Sequence, residues 1–303
     1  MKILVAGSSG MVGKSLVFLL KKKKYNVIQL NSKNCNLENK KNIAIFLKKK
    51  KPNIVICLAA KVGGIKENIE NGYEFISKNL LIQTNLITEC EKNNVNKFIF
   101  IGSSCIYPKN AKQPFEEESL LTGKLEDTNQ YYAISKIAGI KLTEAIKKYK
   151  NKYYISIMPP NLYGPNDNFD ENTSHVMAAL IKKIFLAKTK GLNTITIWGN
   201  GKSKREFLYV DDLSRAIIFL IKNKTPHSII NIGSEEEITI GHLAKKIGSL
   251  LKYRGKFKFD ESKPSGVKRK FMNSHKIRSM GWRPKVNLNT GIKKTISWYK
   301  KNF

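Results

Sequence analysis

Five short apolar runs punctuate the first half of the chain, at residues 3–6, 26–30, 54–58, 97–101 and 154–158. They show little of the polar alternation that a strand with one wet face would need, which predicts strands buried on both sides. Between them, residues 12–20, 75–91 and 131–148 carry apolar positions at helical spacing, three and four apart. Strands separated by helices, without hairpin turn signals, predict βαβ units: an α/β chain with a parallel sheet covered by helices on both faces. A further apolar helix at 213–221 precedes a strand at 228–232. After about residue 233 the pattern loosens into two amphipathic segments, 240–251 and 289–299, flanking a Lys/Pro/Gly-rich stretch.

Composition narrows the picture. With 303 residues, 41% hydrophobic and 10% aromatic, the chain can build a real core, and disordered or collagen-like classes are excluded. The formal net charge of +32 is extreme, yet only six of the 55 basic residues are Arg. A surface that reads nucleic acid would use more Arg, whose planar fork pairs with phosphates and bases. The Lys runs at 21–24 and 48–51 therefore read as background composition with at most a steering role toward anionic ligands. Nucleic-acid binding stays a minor alternative. The four Cys (35, 57, 90, 105) form no C-x-x-C pair, so neither a disulfide framework nor a metal site is expected. No signal-peptide pattern is present, and no apolar stretch approaches the roughly 18 residues of a membrane span. A soluble, cytoplasmic protein with no membrane partner is expected.

Gly7, Ser8, Ser9, Gly10, Met11, Val12 and Gly13 follow the first strand directly and open the first helix. Glycines let backbone approach a pyrophosphate, and a helix N-terminus offers free N–H groups and a positive dipole. The loop predicts a Rossmann-type dinucleotide domain from residues 1–164 with 203–232. A smaller α/β substrate-binding lobe is expected from 165–202 with 233–303. NAD-binding folds usually place a carboxylate after the second strand to hold the ribose hydroxyls. Here the chain reads Leu30, Asn31, Ser32, Lys33, and a Lys beside a hydroxyl suits a 2′-phosphate, so NADP(H) is favoured over NAD.

Tyr132 and Lys136 lie four apart in a helical segment and so on one face. An ammonium beside a phenol stabilises the phenolate, which lets Tyr deliver or take a proton. Gly102, Ser103 and Ser104 end the fourth strand, where ligands of open α/β sheets bind. Together the Gly loop, Ser103 and the Tyr132–Lys136 pair resemble the extended short-chain dehydrogenase/reductase superfamily.

Longer strings narrow the resemblance: residues 59–65, 95–97, 102–109, 121–123, 136–142, 158–169, 174–176, 198–201 and 205–212. Nearly end to end, the chain resembles the GDP-L-fucose synthase family, which epimerises GDP-4-keto-6-deoxy-D-mannose at C3 and C5 and reduces C4 with NADPH. The resemblance implies an acid/base pair at Cys105 and His175. It implies that Ser103 and Tyr132 bind the C4 oxygen, with Lys136 holding the nicotinamide ribose. Matching positions for the cofactor are Gly7 through Gly13, Ser32, Lys33, Leu58, Ala59, Ala60, Ile101, Gly102, Ser103, Ser104, Lys136, Pro159, Pro160, Asn161, Leu162 and His175. For the GDP-sugar they are Lys183, Trp198 and Arg205. Members of the superfamily commonly pair two long helices per subunit, so a homodimer through 75–91 and 131–148 is expected.

The pair has a chemical reason: both sugar protons are α to the C4 ketone, and a thiol facing an imidazole can remove one and restore it from the other side. The chain departs from the family pattern at Pro160, Ser265 and Asn273, so other epimerases, reductases or dehydratases of the superfamily stay in view. A dehydratase needs an acidic residue where Cys105 stands. A non-catalytic dinucleotide-binding protein would have no use for the Tyr132–Lys136 pair.

Overall fold

The computed structural model describes residues 1–263 and 266–303. Its first half runs Lys2–Ala6 (β1), Met11–Lys22 (α1), Asn26–Leu30 (β2), Lys40–Lys50 (α2), Ile54–Cys57 (β3), Ile65–Glu70 (α3), Gly72–Lys92 (α4), Lys97–Ile101 (β4), Gln130–Lys150 (α5) and Tyr153–Met158 (β5). There follow Asn161–Tyr163 (β6), Val176–Thr189 (α6), Thr194–Trp198 (β7), Lys204–Tyr209 (β8), Val210–Lys222 (α7) and Ile229–Asn231 (β9). The chain ends with Glu237–Thr239 (β10), Ile240–Leu251 (α8), Lys256–Asp260 (β11), Arg269–Lys270 (β12), His275–Ser279 (α9) and Leu288–Asn302 (α10).

Six strands pair in the order β2-β1-β3-β4-β5-β9, all parallel. The expected α/β parallel sheet is borne out, and the five apolar runs are its first five strands. Side chains on one face, among them Phe98, Phe100 and Tyr154, bury against Leu86, Ile137 and Ile140 of α4 and α5. Those on the other, including Ile56, Ile99 and Ile157, bury against Leu16 and Leu20 of α1 and Leu213 and Ile217 of α7. Each such fully buried side chain contributes about 1.5–3 kcal/mol, which is why these runs tolerate no polar alternation. The strand order reverses between β1 and β3, so the loops after these two strands part and leave a crevice.

The periodicity passed over α2, because lysines fill the positions around its two buried residues, Ile43 and Leu47. Its start is nonetheless marked by Asn39, whose side chain accepts from the Asn42 amide.

A second sheet runs β10-β8-β12, with β6 also paired to β8. The β8–β12 and β8–β6 pairs are parallel and β8–β10 antiparallel. A third pairs β7 with β11. Helices α6, α8 and α10 bury Ile181, Ile247 and Ile292 in their own apolar cluster beside Ile195 and Ile197 of β7. The boundary expected at 203 falls just before β8, whose hydrogen bonds run to the second sheet. The helix that follows it, α7, packs back on the six-stranded sheet. Glu206 of β8 is fully buried and accepts from the amides of Ser234, Glu235 and Met272, fastening both later segments to this strand. None of the helices among the described residues is long and apolar enough to cross a membrane.

Candidate active site

A large cleft of 1790 Å³ opens at the carboxyl ends of β1, β3 and β4 and is closed on its far side by α6, β7 and β8. Gly7, Gly10 and Gly13 line it with Ser9, Met11 and Val12. Gly7 has φ +85, and a side-chain carbon there would stand 2.7 Å from the Ala59 amide. One on Gly13 would collide with the Gly7 carbonyl oxygen and lie 2.7 Å from the Ser8 Cα. Gly10 caps α1 without a side chain, and the helix's first turn holds no acid. Bare N–H groups at a positive helix end, reached over glycine backbone, fit a diphosphate.

Two expected cofactor residues stand elsewhere. Ser8 is buried and donates its hydroxyl to the Leu30 carbonyl at 3.1 Å, so it faces the sheet end and not the cleft. Lys33 is exposed and stands outside the cleft wall, whereas Asn31 and Ser32 are on it. The turn that carries them is closed by the Lys33 amide donating to Asn31 Oδ1 at 3.0 Å. Leu58, Ala59, Ala60, Ile101, Gly102, Ser104, Pro159, Pro160, Asn161 and Leu162 all line the cleft.

At the end of β4, Ser103 caps a short 3₁₀ turn over Ser104–Ile106, its Oγ accepting from the Cys105 amide at 3.2 Å. That turn lifts Cys105 into the cleft, while Cys35, Cys57 and Cys90 are buried. Two donors reach the sulfur: Asn129 Nδ2 at 3.3 Å and Lys270 Nζ at 3.4 Å.

On α5, Lys136 is buried and donates to the Ile101 carbonyl at 2.8 Å. Its Nζ lies 4.8 Å from the centre of the Phe100 ring and 5.8 Å from that of Tyr132. Burial brings the ammonium down to about 8, against a smaller opposing pull from Cys57. Burial likewise pushes the Tyr132 phenol upward, the charge of Cys105 adds to this, and Ser103 draws it back. The Tyr132 ring stands edge-on to Phe75, with centroids 6.1 Å apart.

His175 is the N-cap of α6 and lines the opposite wall. The residue is exposed on the cleft side. Desolvation holds the imidazole below its ordinary value, with Glu67 pulling the other way. A neutral ring can take a proton near neutrality, and the imidazolium so formed can give it back.

Of the expected sugar-nucleotide contacts, Lys183 lines the cleft but donates to the Thr196 carbonyl at 2.7 Å. Trp198, at the end of β7, is 45% exposed to the cleft. Arg205 on β8 is buried, which lowers its guanidinium from the ordinary value, and its register partner on β12 is Lys270. Asp167 also lines the cleft, and burial raises its carboxyl to about 7. Of the departures, Pro160 is on the wall. Asn273 uses its Oδ1 to accept from the His275 amide at 2.9 Å, and Ser265 lies outside the described residues.

Sequence reading missed Asn31, Asn129 and Lys270. Asn129 adjoins the Tyr132 motif and was legible in principle; Lys270 carries no local signal at all.

Residues 3–233 match the model of the NAD dependent epimerase/dehydratase family. A GDP-L-fucose synthase of Sinorhizobium fredii is 46% identical, with 99% of this chain and 96% of the relative covered. A GDP-L-colitose synthase of Yersinia pseudotuberculosis is 42% identical, with 99% and 98% covered. Among solved structures, a GDP-mannoheptose C4 reductase from Campylobacter jejuni with NADP bound superposes with a TM-score of 0.90. It is 33% identical, with 99% and 98% of the two chains covered. A glycine-lined crevice, a Ser–Tyr–Lys set at its centre and similarity along the whole chain lead to one conclusion: the chain belongs to the NAD dependent epimerase/dehydratase family, in the branch that includes the GDP-L-fucose synthases.

Proposed function

We propose that this enzyme converts GDP-4-keto-6-deoxy-D-mannose to GDP-L-fucose, inverting C3 and C5 and then reducing the C4 ketone with NADPH. The observation that carries the reading is the pair Cys105 and His175, open to the same cleft as Ser103, Tyr132 and Lys136. A reductase alone needs the last three. The added thiol and imidazole suit proton transfer at carbons α to the ketone.

Ser103 and Tyr132 hydrogen-bond the C4 oxygen and stabilise the enolate formed when either ring proton leaves, as an oxyanion hole does. Cys105 and His175 face the sugar from two sides, so a proton removed on one face returns on the other. NADPH, when bound along the glycine loop, supplies a hydride to C4. Tyr132 gives the alkoxide its proton, and Lys136 beneath the phenol favours the phenolate that remains. Gly7, Ser9, Gly10, Met11, Val12 and Gly13, with Ser32 at the ribose end, hold the dinucleotide, and Trp198 and Arg205 hold the GDP-sugar. The six-stranded sheet serves as the cofactor domain and the later sheets as the substrate lobe of a cytoplasmic homodimer.

A reductase without epimerase activity is the second reading, favoured by the likeness to the heptose C4 reductase. Incubating the purified protein with GDP-4-keto-6-deoxy-D-mannose and NADPH, and determining the product's configuration, decides between them. GDP-L-fucose is the expected product; a sugar reduced at C4 with C3 and C5 unchanged would leave the reductase reading.

A further inference from the structure

We propose that Lys270, carried on β12 of the second sheet, is a positioning residue for Cys105, its ammonium holding the sulfur as the anion that removes a proton from the substrate. Its catalytic part rests on the reading above.

The sulfur is the end point of a converging arrangement. Lys270 Nζ stands 3.4 Å and Asn129 Nδ2 3.3 Å from Sγ, one from 165 residues along the chain and one from the turn before α5. Both are donors, and Lys has no acceptor to offer, so the sulfur must accept. A cation next to a thiol favours thiolate, the form that acts as a base.

The backbone on either side of Lys270 is also fixed. Its segment is laced to the one that follows Cys105. Gln113 Nε2 donates to the Arg269 carbonyl at 2.7 Å and Gln113 Oε1 accepts from the Phe271 amide at 3.0 Å. The Phe115 amide donates to the Phe271 carbonyl at 2.8 Å, and the Asn273 amide returns a bond to the Phe115 carbonyl at 2.8 Å. Buried Asn231 donates to the carbonyls of both Phe115 and Asn273. These contacts set β12 against the Cys105 loop from both flanks.

Other charged groups face this corner: Tyr132 from α5, Arg205 from β8, Glu126 from the segment before α5, and His175 across the cleft. Lys270 is hydrogen-bonded to the sulfur, and the Arg205 charge also reaches Cys105. In the step itself, the thiolate takes the proton, the C–H electron pair passes to the C4 oxygen as an enolate, and the thiol forms.

The test reads the sulfur without any substrate. Rates of alkylation by iodoacetamide are measured from pH 6 to 10 for the wild type, Lys270→Arg, Lys270→Gln and Lys270→Met, with Cys105→Ser as the control for the three buried thiols. The expected result is alkylation about tenfold slower at neutral pH in Lys270→Met and Lys270→Gln, the gap closing at alkaline pH, with Lys270→Arg near wild type. Should Lys270→Met fail to fold, the Gln and Arg variants make the same comparison. Equal rates for Gln, Arg and wild type at every pH would overturn the proposal. Solvent deuterium uptake into the ketosugar should fall at least tenfold in the neutral variants, with cofactor binding unchanged. If the wild type exchanges no deuterium with that sugar, the substrate reading fails, and the alkylation series still decides whether Lys270 holds the thiolate.

Discussion

Lys136 Nζ lies 5.8 Å from the centre of the Tyr132 ring while bonded to the Ile101 carbonyl, so this cation is anchored to the last residue of β4, two residues before Ser103. Its proton is lost at about pH 8, because burial disfavours the charge. NADPH oxidation should therefore decline above about pH 8, and Lys136→Met should lower it roughly hundredfold or more at neutral pH. The stability consequence runs the other way. Below about 8 both folded and unfolded chains hold the proton, and the burial penalty is complete. Above it only the unfolded chain does, so folded stability rises with pH toward the ordinary lysine value. In thermal melts of the free enzyme, the wild type should gain on Lys136→Met between pH 8 and 10. A constant difference would show that Lys136 keeps its proton there.

Mutation should separate the two half-reactions. A serine hydroxyl is too weak an acid to serve as a base at pH 7, so Cys105→Ser should cut deuterium incorporation into the ketosugar about a hundredfold or more, with NADPH still bound. Tyr132→Phe should instead stop hydride transfer and leave slow exchange. Wild-type exchange in Cys105→Ser would reduce Cys105 to packing.

The expected cofactor choice rests on the end of β2, where Asn31 and Ser32 reach the cleft with no carboxylate among residues 31–33; Glu38 lines the cleft further along the same loop. NADPH should have the higher kcat/KM. Ser32→Asp should reverse the preference by repelling a 2′-phosphate. Equal constants for NADPH and NADH in the wild type would count against the assignment.

Gly13→Ala adds one carbon where the Gly7 carbonyl and Ser8 backbone already stand. Backbone must move, at a cost of at least about 1–3 kcal/mol, and the cradle opens. Melting temperature and NADPH affinity should both drop. Gly191→Ala is the control for steric contact, since nothing lies within 4 Å there and only its φ of +65 is strained.

Assembly is readable on α4 and α5. Tyr73 is 82% exposed, Leu81 47%, Tyr131 48% and Ile134 41%, an apolar display that a second copy would cover. Light scattering at micromolar concentration should give a dimer mass, and Leu81→Glu with Ile134→Glu should give a monomer. A monomeric wild type would remove the dimer from the reading.

The parallel sheet was legible in the chain because its strands are short, mostly apolar runs and helices α1, α4, α5 and α7 each repeat apolar positions on one face. The Gly7–Gly13 loop, Ser103 and the Tyr132–Lys136 pair were legible for the same reason: a few adjacent positions do the chemistry, and local spacing places them. The second sheet was not. β6 and β10 have three residues and β12 two, too short for any periodicity, and only their hydrogen bonds to distant partners make them strands. Side-chain direction was equally out of reach. Ser8 turns inward because the Leu30 carbonyl at the neighbouring strand end takes its hydroxyl, and Lys33 falls outside the wall because an Asn31 turn swings it away. The meeting of Cys105 with Lys270 belongs wholly to the tertiary structure: one lies at the end of β4 and the other on β12, and 165 residues of chain carry no trace of a contact that only the lacing of residues 113–115 to 269–273 creates.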